Sequence, residues 1–255
     1  MEQAEKASLL ARSIEVIKVI SGAPQPLTVQ EIVSAVELPK PTVHRICTTL
    51  EKMGLLAREP GGKRLTVGAA LNSIALSTLQ ATVSMGPYRS ILHLVVEEVQ
   101  ETCTLTVLDF DELVFLDRVE SASPLRLQLF AGSRVPLHCT SGGKLFLAML
   151  PAARRSRLIR ARPLTRYTEH TITDPERLER ELEEIRREQL GRDHEEFIEG
   201  LVALAAPVVD KRGRMIAAVS VNGPAARLRL DRTERYVDSL RRAATSLSAL
   251  MEDNQ

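Results

Sequence analysis

Three short stretches hold side chains whose type and spacing could do chemistry. Lys40-Pro41-Thr42-Val43-His44-Arg45 sets two cations, an imidazole and a hydroxyl at the start of a helical pattern, a combination suited to phosphate oxygens and base edges. A solvated helix face is the competing reading; Arg45 could pair with Glu51 or Glu15, and His44 could cap or pack. Cys139-Thr140-Ser141-Gly142-Gly143-Lys144 resembles half of a phosphate loop. His138 stands where the first glycine belongs and Leu145 follows the lysine, so a nucleotide is not expected. Asp193-His194-Glu195-Glu196 invites zinc, but Ile198 occupies the place of the second histidine of H-E-x-x-H. No metal and no other cofactor is expected. No G-x-S-x-G elbow frames Ser141 or Cys139 as a nucleophile, and no catalytic residue is assigned.

The surrounding chain limits what these stretches can be. Its 255 residues, 44% hydrophobic and 26% charged, suit one large or two modest domains with a real core and exclude wholesale disorder. No run of about 18 apolar residues occurs, and Glu2, Glu5 and Glu15 interrupt the start, so neither a spanning helix nor a secretory signal is expected. Cys47, Cys103 and Cys139 are an odd, scattered set, which fits a reducing cytoplasm better than a disulfide framework. The net charge is +1, with +2 on residues 1–70 and −1 on the remainder. So small an asymmetry means that DNA binding must come from local placement of charge.

Stepping along the first 70 residues gives helices with short loops. Leu9, Leu10, Ile14, Ile17 and Ile20 recur at helical spacing up to the Ser21–Pro24 break. Thr28 and Glu31 form a capping-box pattern ahead of Ile32, Val33 and Val36. After Glu37–Pro41, a helix starting at Pro41 or Thr42 turns Val43, Ile46, Leu50 and Met53 inward and ends at Gly54. Thr48 and Thr49 lie further along its exposed side. Leu55–Arg58 and Lys63–Val67 flank Pro60-Gly61-Gly62 as a hairpin. This order is a winged helix-turn-helix, whose third helix enters a major groove and whose first-turn N–H groups can hold a phosphate. Lys63 and Arg64 on the hairpin could reach an adjacent groove, and Thr28 completes the expected DNA-contacting set.

Residues 66–84 carry Leu71, Ile74 and Leu79 at helical spacing, a linker helix that also packs on a partner chain. Beyond Gly86-Pro87 the pattern gives a helix to about 101 and strands near 103–109, 113–119 and 125–130. Helices are expected at 142–150, 151–161 and 174–190, the last started by Asp174-Pro175-Glu176. Strands near 192–197, 201–209 and 214–222 and a final helix over 231–251 complete an antiparallel α+β domain. The Arg154–Arg162 basic run reads as a solvated helix first and an assembly contact second, and His138 as a structural hydrogen-bonding residue.

The motifs Leu38–Arg45, Leu116–Glu120, Gly132–Lys144, Tyr167-Thr168, Thr171–Asp174, Asp193–Phe197, Ala206–Val208 and Ala217–Pro224, in this order and spacing, resemble the IclR family of bacterial transcription regulators over about residues 8–250. The resemblance implies a winged helix-turn-helix (1–68), a linker helix (69–86) and a GAF-like effector domain (87–255). It implies a cytoplasmic homodimer, often paired into a tetramer, without a membrane anchor. Such a protein binds double-stranded promoter DNA, represses or activates a catabolic operon and answers to a small organic or aromatic carboxylic acid. By the family's pattern one wall of the effector pocket is Thr140, Ser141 and Gly142, and the other is Asp193, Ala203, Ser220 and Asn222. A helix start suits a carboxylate, and Ser220 and Asn222, two apart on a strand, share a face and need partners if buried. A buried Asp193 facing an anion would be repulsive unless paired or protonated. The chain departs from the family at Ala203, often cysteine, at Asn222, commonly a small residue, and in the wing, where an aromatic is common. The readings set against this are a metabolite-binding adaptor without DNA contact and an enzyme on the α+β domain.

Overall fold

The computed structural model describes residues 9–59, 62–84, 86–123, 129–161, 163–228 and 234–253. Four expectations fall wholly or partly outside them: the hairpin tip Pro60-Gly61, most of the strand over 125–130, Arg162 of the basic run, and the first residues of the final helix, 231–233. The chain divides into two compact units, Met1–Thr78 and Leu79–Gln255, each described by itself.

The first unit holds α1 (Leu9–Gly22), α2 (Val29–Val36), α3 (Lys40–Lys52) and a hairpin of β1 (Leu56–Arg58) and β2 (Leu65–Val67). The Thr28 hydroxyl accepts the Glu31 N–H and the Glu31 carboxylate accepts the Thr28 N–H, so the capping box forms. Glu37, at φ 51°, ends α2 in the left-handed region, and α3 begins three residues later at Lys40, with Pro41 in its first turn. Val16, Ile20, Ile32, Val36, Val43, Ile46, Cys47, Leu50, Leu56 and Leu65 form the core, at about 1.5–3 kcal/mol for each large aliphatic side chain buried. One inward assignment is corrected: Met53 is 62% exposed because α3 stops one residue before it. Leu9, Leu10 and Ile14 lie on α1 as their spacing predicts but are exposed, because the core closes on the later turns of α1, at Val16 and Ile20.

Helix α4 (Ala69–Ser84) runs across the division between the units; Ile74 and Leu79 on it are exposed.

The second unit holds α5 (Pro87–Val99), β3 (Thr102–Asp109), β4 (Glu112–Val119), β5 (Arg134–Pro136), α6 (Ser141–Met149), α7 (Ala152–Ala161), α8 (Pro175–Glu188), β6 (Gly191–His194), β7 (Leu201–Val209), β8 (Met215–Pro224) and α9 (Glu234–Asp253). One antiparallel sheet runs β5-β4-β3-β8-β7-β6. One edge is the three-residue β5, too short to leave an alternation in the sequence, and the other is β6; Leu129 and Phe130, the described end of the strand expected over 125–130, are not in a strand. Helix α8, capped by Asp174, packs on α6 and buries Leu178, Leu182 and Ile185 at helical spacing in the core that α6 shares with the sheet. Helices α5 and α9 pack together and against the sheet, tied by the Ser239–Glu98 and Tyr88–Leu250 hydrogen bonds.

The start of α6 lies directly on the sheet edge. A Cβ at Gly191 of β6 would come 2.1 Å from the Ser141 carbonyl oxygen, so only glycine lets β6 and α6 approach this closely. Gly191→Ala should therefore lower the thermal unfolding midpoint by roughly 3–10 °C through overpacking. A midpoint equal to that of the native chain would show that the helix start is free to move off the strand.

Candidate functional site

The start of α6 and the facing strands enclose a cavity of about 30 Å³. All seven residues expected to bind an effector line it: Thr140, Ser141, Gly142, Asp193, Ala203, Ser220 and Asn222. Sheet register explains why. Asp193 pairs with Ala203 and Ala203 with Asn222, so these three form one cross-strand row. Ala205, Ser220 and Thr104 form the next row. The alanines keep the floor low, and the hydroxyls and carboxyl rise around them.

Helix α6 has no side-chain cap at its start: the Thr140 hydroxyl donates to the Pro136 carbonyl (2.7 Å) instead. Orphan N–H groups and the positive end of the helix dipole therefore sit at the cavity wall. Gly142 is needed there, since a Cβ would meet Leu113 at 3.1 Å and Thr106 at 3.2 Å. The Asn222 amide donates to the Thr104 hydroxyl (3.2 Å). Ser141 and Ser220 are buried residues that line the cavity, and among the described residues their hydroxyls make no hydrogen bond.

Behind this wall is a buried charged cluster. Lys144 is fully buried; its ammonium donates to Glu181 (3.0 Å) and to the buried Glu196. Asp193 accepts the Glu196 N–H (2.8 Å) and a hydrogen bond from the Phe197 backbone. Burial pushes the Asp193 carboxyl up to about 7, reinforced by the Glu196 charge and opposed by these N–H groups and Lys144. Burial and the Lys144 charge lower His194. Burial also holds the Cys139 thiol far above its ordinary range, an unreactive state. His138 hydrogen-bonds the Thr165 carbonyl (2.9 Å).

Sequence reasoning missed several parts of this site. Thr104, Thr106, Leu113, Phe115, Leu129, Val135, Phe197 and Leu201 also line the cavity. Thr102, Thr104 and Thr106, polar at every second place of an otherwise apolar strand, were the available signal. Nothing marked Lys144 as buried, because its partners are 37 and 52 residues away.

In the first unit the DNA-facing set divides. Lys40, His44 and Arg45 on α3 and Lys63 on the hairpin are exposed, with Thr42 half-buried. Glu51 pairs with Arg58 (2.7 Å), and Arg45 makes no ion pair among the described residues. Two residues of the expected set are also engaged within the unit. Arg64 donates to the Pro26 carbonyl (2.8 Å) and to Glu31 (3.2 Å), bracing the hairpin on the start of α2, and Thr28 is committed to its capping box. The phosphate cradle at α3 is also narrower than expected. Pro41 has no N–H and Thr42 donates to Pro39 (2.9 Å), so the Lys40 N–H and the side chains are what remain there. The hydroxyls of Thr48 and Thr49 turn back onto the carbonyls of His44 and Arg45 (2.9 Å each).

A winged helix-turn-helix on the same chain as an α+β unit with an uncapped helix start over a polar cavity defines the class: a two-part transcription regulator. The family comparisons agree. Residues 79–249 match the bacterial transcriptional regulator IclR C-terminal model and residues 9–60 the IclR helix-turn-helix domain, and the chain belongs to the IclR family of DNA-binding transcriptional regulators. It is 42% identical to the probable transcriptional regulator SauR of Cupriavidus necator over 92% of this chain and 94% of that one. The crystal structure of the Thermotoga maritima IclR is similar at a TM-score of 0.62 and 28% identity, covering 94% of this chain and 97% of that one. An IclR homolog from Microbacterium hydrocarbonoxydans, crystallised with 4-hydroxybenzoate, is similar at a TM-score of 0.60 and 26% identity, covering 95% and 98%. No helix among the described residues is long and apolar enough to cross a membrane.

The Asp193 environment makes stability pH-dependent. Its native value of about 7 lies above the ordinary 3.8, so the folded state keeps a proton that the unfolded chain releases. That contribution is complete below about pH 4 and is lost as pH rises through 7. Asp193→Asn, which keeps an acceptor for the Glu196 N–H, should narrow the difference in unfolding midpoint between pH 5 and pH 8. An unchanged difference would place the titrating group elsewhere.

Proposed function

We propose that this chain is a ligand-responsive regulator of a catabolic operon, without catalytic activity, whose effector is a small organic or aromatic carboxylic acid. Functionally, residues 1–68 read DNA, 69–86 transmit and 87–255 sense. The observation that carries this reading is the uncapped start of α6, with Ser141 in its first turn, lining one cavity with Ser220, the hydroxyls of both making no hydrogen bond among the described residues. Helix-start N–H groups favour an anion, and a carboxylate offers the acceptors that the hydroxyls and N–H groups lack. The 4-hydroxybenzoate held by the Microbacterium homolog is a ligand of this class. Asp193 joins as a proton-carrying donor to the acid, which removes the repulsion between two carboxylates.

On the DNA side, Lys40, Thr42, His44 and Arg45 contact a major groove of promoter DNA and Lys63 the neighbouring backbone, with Thr28 and Arg64 in supporting roles. Exposed apolar side chains on α1 (Leu9, Leu10, Ile14) and on α4 (Ile74, Leu79) favour a homodimer, itself able to pair into a tetramer, in the cytoplasm. A dimer sets two recognition helices on successive half-sites of a pseudo-palindrome.

Two experiments test this. The Lys40→Ala/Arg45→Ala double variant should bind promoter DNA at least tenfold more weakly and with a salt slope smaller by about two. Binding equal to that of the native chain would favour the adaptor reading. In calorimetric titration with acetate, benzoate and 4-hydroxybenzoate, at least one acid should bind, and Ser220→Leu should abolish that binding. Affinity should fall as pH rises above 7, by up to about tenfold per unit, because the bound carboxylate requires the Asp193 proton. Acid binding that survives Ser220→Leu would move the site elsewhere.

A further inference from the structure

The acid cavity is too small for the ligand class just assigned to it, on which this inference rests. Its 30 Å³ accommodates about two water molecules. Seven of its fifteen lining residues are held in place. Thr104, Thr106, Ala203 and Ser220 stand on central strands of the sheet, and Thr140 to Gly142 are pinned by the Gly191 contact.

One wall differs. Beyond it lies a cavity of about 380 Å³, floored by Leu137, Leu147, Leu158 and Leu164 and reaching the surface at Thr165 and Tyr167. The two cavities share two side chains, Val135 and Phe197. Val135 is fixed in strand β5, where it pairs with Leu113 of β4. Phe197 follows β6 in a segment without helix or strand, is half-buried, and meets Tyr167 edge to face at 5.2 Å. It is therefore the partition with somewhere to go. Its position is also tied to the acid site, because the N–H groups of Glu196 and Phe197 both donate to Asp193.

We infer that Phe197 is the specificity-determining residue of the acid site: its ring moves into the neighbouring cavity to admit an acid, and the space there sets how large an acid is admitted. Small acids need little of this movement and ring-bearing acids need all of it.

The test compares benzoate with acetate by calorimetry on the full-length chain. Phe197→Ala removes the partition and should raise the benzoate-to-acetate affinity ratio at least tenfold. Leu158→Trp fills the larger cavity without lining the acid site, and should lower the same ratio at least tenfold. That variant also carries the chain's sole tryptophan, so its emission spectrum reports whether the cavity has been filled. If Phe197→Ala fails to fold, Phe197→Leu serves, with a smaller rise expected. A ratio that stays within twofold in the folded variants, while Ser220→Leu still abolishes binding, overturns the partition and leaves the acid site standing. Absence of binding by both acids in every form overturns both.

Discussion

The effector unit depends on one contact: the backbone of Gly191 against the first turn of α6. Seating a helix start on a strand edge with no side-chain cap leaves N–H groups unsatisfied, a cost that an isolated helix would avoid with a serine or aspartate at that place. Here Thr140 holds the cap position and spends its hydroxyl on Pro136. The fold thus keeps a set of donors in reserve and aims them at the sheet. Lys144, one turn along the same helix, adds a positive charge that cannot reach water. Two carboxylates, Glu181 and Glu196, hold it in place, and breaking such a pair from one side costs about 3–5 kcal/mol. The price of the site is met by long-range ion pairs behind it.

The same cluster separates two neighbouring carboxyls. Glu196 is in direct contact with Lys144, and Asp193 is not among the lysine's bonded partners. Asp193 is left with backbone N–H groups, burial and a neighbouring negative charge, and it is the carboxyl pushed up into the neutral range. Two acids three residues apart in sequence therefore have different tasks. Glu196 anchors the loop to α6, and Asp193 presents a titratable group to the cavity.

The residues that read off the sequence most directly were those whose role is local. The capping box at Thr28 and Glu31, Pro41 in the first turn of α3, Gly54 at φ +69° and the Asp174 cap all declare themselves within four residues, and each has the expected geometry. The seven cavity residues were placed by family resemblance, and strand alternation alone supported the pair Ser220 and Asn222. What did not show was anything set by distant packing. A three-residue strand such as β5 has no period. Arg64 looks like any exposed arginine until Pro26 and Glu31 are brought to it. Leu9 and Ile14 fit a helical stripe well, but a stripe says only that a face is apolar and not where the core ends.

A regulator needs two conformations that its ligand distinguishes, because a ligand of equal affinity for both shifts nothing. The small cavity provides for that need once Phe197 moves. A state with room for about two waters binds an organic acid poorly, and any state with Phe197 displaced binds it better, so occupancy selects the second. The displacement is resisted by the edge-to-face contact with Tyr167 and by the backbone ties to Asp193, and it is favoured by the satisfied donors at the start of α6. These opposing contributions are of similar size, about 0.5–1.5 kcal/mol for an aromatic pair and about 1.5–3 for a hydrogen bond to a charged group. A balance that close lets an acid reverse the preference, whereas a preformed cavity of full size would bind more tightly and report less.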